Sequence, residues 1–180
     1  MKEKTISKGV WVVKESQALS RLTIAEGASI AAPEGKYLTL TVNGVTCTPR
    51  PGTYEGDVYL TVSDNFTRTS LRFGEKTISN FHAAVIVNDG HIVESSSVLA
   101  ALQGGKFSDK KAEGIRIASR EWDFNGFYIT GDSSYEISDA VIELEGDGTD
   151  DFVGMGAAIA AALGSTFQSP LAAYSFLVFV

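Results

Sequence analysis

The sequence predicts an all-β protein, in which N-terminal strands and hairpins lead into a short solenoid of stacked strands. Three observations predict it. Short β-branched and aromatic runs, such as Lys36-Tyr37-Leu38-Thr39-Leu40-Thr41-Val42 and Asp57-Val58-Tyr59-Leu60-Thr61-Val62, are each closed by Gly, Asn or Asp. The dipeptides Asn43-Gly44 and Asp89-Gly90 sit between apolar runs, where a two-residue turn needs positive φ at both positions. Beyond Lys111 the runs shorten, and Ile117, Ile129, Ile137 and Leu144 recur at steps of twelve, eight and seven residues. Strands that brief suit the faces of a solenoid rung, where each one turns a corner and stacks on the next coil.

In chain order, Val10-Trp11-Val12-Val13 reads as a first strand. Leu22-Thr23-Ile24 and Lys36 to Val42 follow, both associated with Glu-Gly corners at Glu26-Gly27 and Glu34-Gly35. Asn43-Gly44 folds the chain back into Val45-Thr46-Cys47, and Pro49, Pro51 and Gly52 end that strand. Ala83-Ala84-Val85-Ile86-Val87 and His91-Ile92-Val93 form a second hairpin about Asp89-Gly90. Ser97 to Gly105 is the candidate for a short helix, with Ser97 as cap and Gly104 as terminator, or equally for an irregular turn over a core end. Phe127-Tyr128-Ile129, Tyr135-Glu136-Ile137 and Val141-Ile142-Glu143-Leu144 supply the rung strands. The hairpins also admit an antiparallel β-sandwich as the alternative fold.

Composition narrows the function classes. With 15 basic against 22 acidic residues the net charge is −7, and no basic stripe is present, which excludes a nucleic-acid partner. One cysteine, Cys47, excludes an internal disulfide framework and a multi-thiolate zinc site; its setting is that of a small strand residue. No apolar segment follows the charged residues 1–8, so no secretory signal is visible. From Phe152 to Val180 there is no charged residue, the sharpest compositional boundary in the chain. The predicted division is therefore a β-rich domain over 1–159 and an uncharged apolar tail over 160–180. Residues 154–180 are long enough to contact or span a membrane, which takes about 20 apolar residues. Gln168-Ser169-Pro170 interrupts them, which favours a buried terminal element or cap.

The phrases Leu22 to Gly35, Pro51-Gly52-Thr53-Tyr54-Glu55-Gly56-Asp57-Val58, Asp123 to Gly131 and Gly146 to Ile159 resemble bacterial right-handed parallel β-helix, adhesin-like proteins. Turn grammar over about residues 5–159 carries the resemblance, and the uncharged tail departs from it, as in a truncated coil open to self-association. The resemblance implies a non-catalytic cell-surface or extracellular scaffold that binds carbohydrate or a surface protein. A carbohydrate-active enzyme on the same coil, a polysaccharide lyase or glycosidase, is the competing class, and a fragment without independent activity is the third.

Candidate site residues follow from these classes. Trp122 and Tyr128, beside Asn125, are the aromatic surface for stacking on a sugar ring, although Asn125 could instead satisfy backbone groups at a corner. Asp147, Asp150 and Asp151 are the hard oxygen ligands that calcium would use, the one cofactor the sequence offers; a solvated turn is the other reading. An enzyme would draw a carboxylate pair from Asp123, Asp132, Asp139, Asp150 and Asp151, but nothing in the spacing picks one, so no catalytic residue is assigned. His82 and His91 flank the second hairpin without a serine or cysteine motif, which leaves a nucleophilic triad unsupported.

Overall fold

A computed structural model describes residues 2–70, 76–149, 154–162 and 164–168, and it is all-β with several mixed sheets. β1 (Glu3–Ile6) and β2 (Gly9–Val12) are followed by β3 (Gln17–Ile24) and β4 (Ala28–Ala31). β1 pairs with β3 and β2 with β4, both parallel, with partners eighteen and nineteen residues apart. The Glu26-Gly27 corner does not make a hairpin. Gly27, at φ +76°, turns the chain out of one sheet and into the other.

β5 (Lys36–Val42), β6 (Val45–Cys47) and β7 (Gly52–Asp64) complete an antiparallel sheet in the order β3–β7–β5–β6. The β5–β6 hairpin closes as expected, with Asn43 at φ +50° and Gly44 at φ +80°. Strand alternation then sorts the residues. Leu38, Leu40, Val58 and Leu60 join Leu19, Leu22 and Ile24 in an N-terminal core, while the other face of β5 and β7 presents Tyr37, Thr39, Thr41, Tyr59, Thr61 and Ser63. Below this sheet, Tyr54 holds the Pro49–Pro51 bend, its hydroxyl accepting from Arg50 N and donating to Arg50 O.

β8 (Phe66–Ser70) and β9 (Lys76–Asn88) pair antiparallel, and β10 (His91–Ile92) returns on β9 about Asp89 and Gly90, at φ +49° and +77°. The helix expected over 97–105 reduces to one 3-10 turn, Leu99–Ala101. Ser97 does not cap it: its hydroxyl accepts from Ile86 N and donates to Val93 O, so it ties the loop to β9 instead. β11 (Leu102–Gln103), β12 (Lys106–Phe107), β13 (Lys111–Glu113) and β14 (Arg116–Ser119) follow. Then come β15 (Phe124–Thr130), β16 (Ser134–Ser138), β17 (Val141–Leu144), β18 (Ile159–Ala161) and β19 (Thr166–Gln168).

These later strands form three parallel stacks: β9–β15–β18, β13–β16–β19 and β14–β17. The chain visits the stacks in the same order on each pass. Like residues therefore meet in register: Val85, Phe127 and Ile159 on the first stack, Ala112 and Ile137 on the second, Ile117 and Ile142 on the third. All belong to or pack against one core in the middle of the stacks, where each fully buried large apolar side chain contributes about 1.5–3 kcal/mol. Outside, Arg116 pairs with Glu143 and Arg120 with Glu145 across the passes, but at these exposures such pairs add about 0–1 kcal/mol.

Two features limit substitution. Gly126 lies where a Cβ would stand 2.4 Å from the Ala158 carbonyl oxygen, so only glycine lets the two passes approach there. β6 pairs parallel with β14, Val45 with Ala118 and Thr46 with Ser119, which makes the antiparallel N-terminal sheet continuous with the third stack. At the other end, β18 crosses the expected boundary at 159, and β18 and β19 both lie on the stacks. Residues 169–180 of the apolar segment lie outside the described residues, and among those described no helix is long and apolar enough to cross a membrane.

Candidate binding groove and buried junction

The threonine face of β5 and β7 meets the stacks in two ways. At one end it is sealed, and at the other it stays open. The sealed end is built on His82 of β9, 6% exposed. Its Nε2 lies 2.5 Å from the Thr39 hydroxyl, Tyr37 stacks on its ring at 4.8 Å, and Phe124 meets it edge-on at 5.0 Å. Glu121, on the connection from β14 to β15, brings Oε2 to 3.8 Å from His82 Nδ1, too far for a hydrogen bond, and that oxygen has no other partner.

Burial sets the charge state here. Desolvation pushes the Glu121 carboxyl up to about 8 and the His82 imidazole down to about 4, so both are neutral near pH 7. Burial also raises the Tyr37 phenol, and it pushes the Cys47 thiol up to about 11, which makes that cysteine an inert neutral thiol. Next to this cluster the Thr46 hydroxyl donates to Ser119 Oγ at 2.5 Å. Polar side chains thus fasten the sheet to the stacks from within, and none of this cluster lines the open end.

The open end is a groove of ≈ 900 Å³. Its floor is Thr41, Tyr59 and Thr61 on β5 and β7; Ser16 and Ala18 close one side. The facing wall is the 94–103 segment, with Glu94, Ser97, Leu99, Leu102 and Gln103. Asn43, Asp57 and Lys2 stand at the rim. Two side-chain amides are fixed by the fold: Asn43 Oδ1 accepts from Asp57 N at 3.0 Å, and Gln103 Nε2 donates to Gly44 O at 2.9 Å. The Thr41 and Thr61 hydroxyls are buried without a hydrogen-bond partner.

The sequence-predicted residues are distributed differently. Trp122 is exposed, at 64%, as expected. Tyr128 is not: it is fully buried, stacked on Phe81 at 4.0 Å, with Phe66 edge-on, because β15 is covered on both faces. Asn125 is buried within β15, opposite Ala83, where its Nδ2 donates to Gly154 O and its Oδ1 accepts from Gly156 N. These three residues therefore make no common surface.

Of the acidic residues, Asp123 accepts from Thr149 N and Oγ1 and pins the turn above it. Asp139, at φ +50°, forms the β16–β17 corner. Asp150 and Asp151 lie outside the described residues. Among the described residues, Asp147 included, no three His, Cys, Asp or Glu side chains come together as metal ligands. No family model, curated protein or solved structure matches the chain.

Proposed function

We propose that the three strand stacks are a short right-handed parallel β-helix and that the chain is a non-catalytic, adhesin-like surface scaffold for recognising carbohydrate or protein. The observation that carries this reading is the in-register stacking of three parallel strand stacks on one apolar core, joined by β6 and β14 to a sheet that walls a groove. A repeating backbone of this kind holds a surface rigid, which suits recognition. Right-handed crossover between parallel strands is the general rule for such connections. Glu121 is the one described carboxyl raised far enough to serve as a general acid near neutral pH, and it faces His82 inside the junction, away from the groove lining.

Binding and turnover should be measured together. The full chain is incubated with a panel of neutral and uronate-containing polysaccharides and with surface-protein arrays, and both retention and chain length of the polysaccharides are followed. Retention of an intact ligand is the expected result. Shortened or unsaturated sugar products, lost in Glu121→Gln, would establish the enzyme reading in its place.

A further inference from the structure

We infer that the groove between the threonine face and the 94–103 segment is a binding site for a neutral oligosaccharide seated on Tyr59. This inference rests on the recognition reading above and assigns its site and ligand class. A sugar ring offers an apolar face of C–H groups and a rim of hydroxyls, so it is held by an exposed aromatic ring with a few fixed polar groups around it. Tyr59 supplies the ring: it is 36% exposed on the groove floor, and the apolar Leu99 and Leu102 line the same groove.

The rim supplies the polar groups in a defined pattern. Asn43 uses its oxygen on Asp57 N and keeps its amide N–H groups to donate; Gln103 uses its nitrogen on Gly44 O and keeps its oxygen to accept. Each amide is thus oriented by one hydrogen bond and carries the opposite valence into the groove. Asp57 and Glu94 add carboxylates, which accept from adjacent hydroxyl pairs. Deeper in, Thr41 is 1% exposed and Thr61 8%, and neither hydroxyl has a partner. A buried hydroxyl left unpaired calls for one, and a turn between staggered χ1 wells directs these two at a group seated in the groove.

Charge selects among sugars. Asp57 and Glu94 against Lys2 leave the lining with net negative charge, which repels uronates and sulfated sugars and accepts neutral ones. The volume, ≈ 900 Å³, lies at the upper end of the range of about 300–1,000 Å³ for ligand clefts, enough for more than one sugar unit.

The test is calorimetric titration of the full chain with cellohexaose, maltohexaose, mannohexaose and xylohexaose, with hexagalacturonate as the anionic control. Tyr59→Ala, Tyr59→Thr, Gln103→Ala and Trp122→Ala are compared, each with its unfolding curve. Expected are binding of a neutral hexamer, about a tenfold loss of affinity in either Tyr59 variant and in Gln103→Ala, and no change in Trp122→Ala. Tyr59→Thr keeps strand preference, so a loss there with an unchanged unfolding midpoint reports the groove and not the fold. Neutral-sugar binding that survives both Tyr59 variants overturns the groove as the site but leaves the recognition reading intact. Binding of hexagalacturonate alone, or of no sugar in the panel, overturns the ligand class; the separate protein arrays then decide whether the recognition reading falls too.

Discussion

The N-terminal sheet and the C-terminal stacks solve the same burial problem by different routes. In the sheet, β3, β7, β5 and β6 pair antiparallel, with β5 and β6 joined by a tight turn, and β5 and β7 each have one apolar face and one hydroxyl-bearing face. In the stacks, bonded neighbours come from successive passes; Arg116 pairs with Val141 and Ser134 with Thr166, and β9 and β15 are buried on both faces. The consequence is a division of labour. A strand buried on both faces can hold a core but has no side left to meet a ligand, whereas the one-sided sheet keeps a polar face that is partly uncovered.

Core truncations give the largest expected effect on this comparison. Phe127→Ala in the stacks and Leu40→Ala in the sheet should cost about 3–5 and 2–5 kcal/mol respectively, read as a lower midpoint in urea. Because β6–β14 pairing and the His82 cluster join the regions, each variant should shift one shared transition. Two separate transitions, with only one displaced, would mean that the regions fold independently. Gly126→Ala is next, at about 1–3 kcal/mol, since the added methyl meets a backbone oxygen that can yield only by moving a pass. The equivalent change at Gly35, where a Cβ meets nothing within 4 Å, should cost less, through its φ of +77° alone.

The junction should make stability depend on pH in a way neither region would alone. Glu121, raised from 4.5 to about 8, contributes stability that is fully present below 4.5 and lost as pH rises through 8. His82, lowered from 6.5 to about 4, contributes stability present above 6.5 and lost as pH falls through 4. The two slopes cancel between 4.5 and 6.5. A decline on the order of 1–2 kcal/mol is then expected between pH 6.5 and 8, and Glu121→Gln should flatten it. The smallest effect belongs to the exposed pair: Arg116→Ala should change stability by less than about 1 kcal/mol and respond to salt.

Local chemistry made much of the sheet legible in advance. Asn43-Gly44 and Asp89-Gly90 announce their turns because few other residues accept positive φ twice in succession, and Leu38, Leu40 and Val42 alternate with threonines as a half-buried strand must. β1 was not legible, because Glu3-Lys4-Thr5-Ile6 carries almost no apolar pattern and owes its pairing to β3. Tyr128 was misplaced because alternation implies an outer face, and β15 has none; the unbroken apolar run Ala83 to Val87 on its neighbour was the available signal. The groove and the His82–Glu121 contact were invisible for a different reason. They join residues dozens of positions apart, and periodicity says which face a residue takes but not which element it will meet.

The parallel pairing of β14 on β6 also orders events in time. The β5–β6 hairpin closes over two residues, whereas β14 reaches β6 only after about seventy more, so the hairpin's chain-entropy cost is met far earlier. It is then a ready edge on which the first pass can crystallise, and each later pass inherits its register from the one before. Substitutions at Val45 and Thr46 should accordingly slow refolding, while those at Ile159 should chiefly speed unfolding, a contrast that stopped-flow kinetics would read directly. A hairpin of a dozen residues, laid down first, would thus fix the register of every pass that follows.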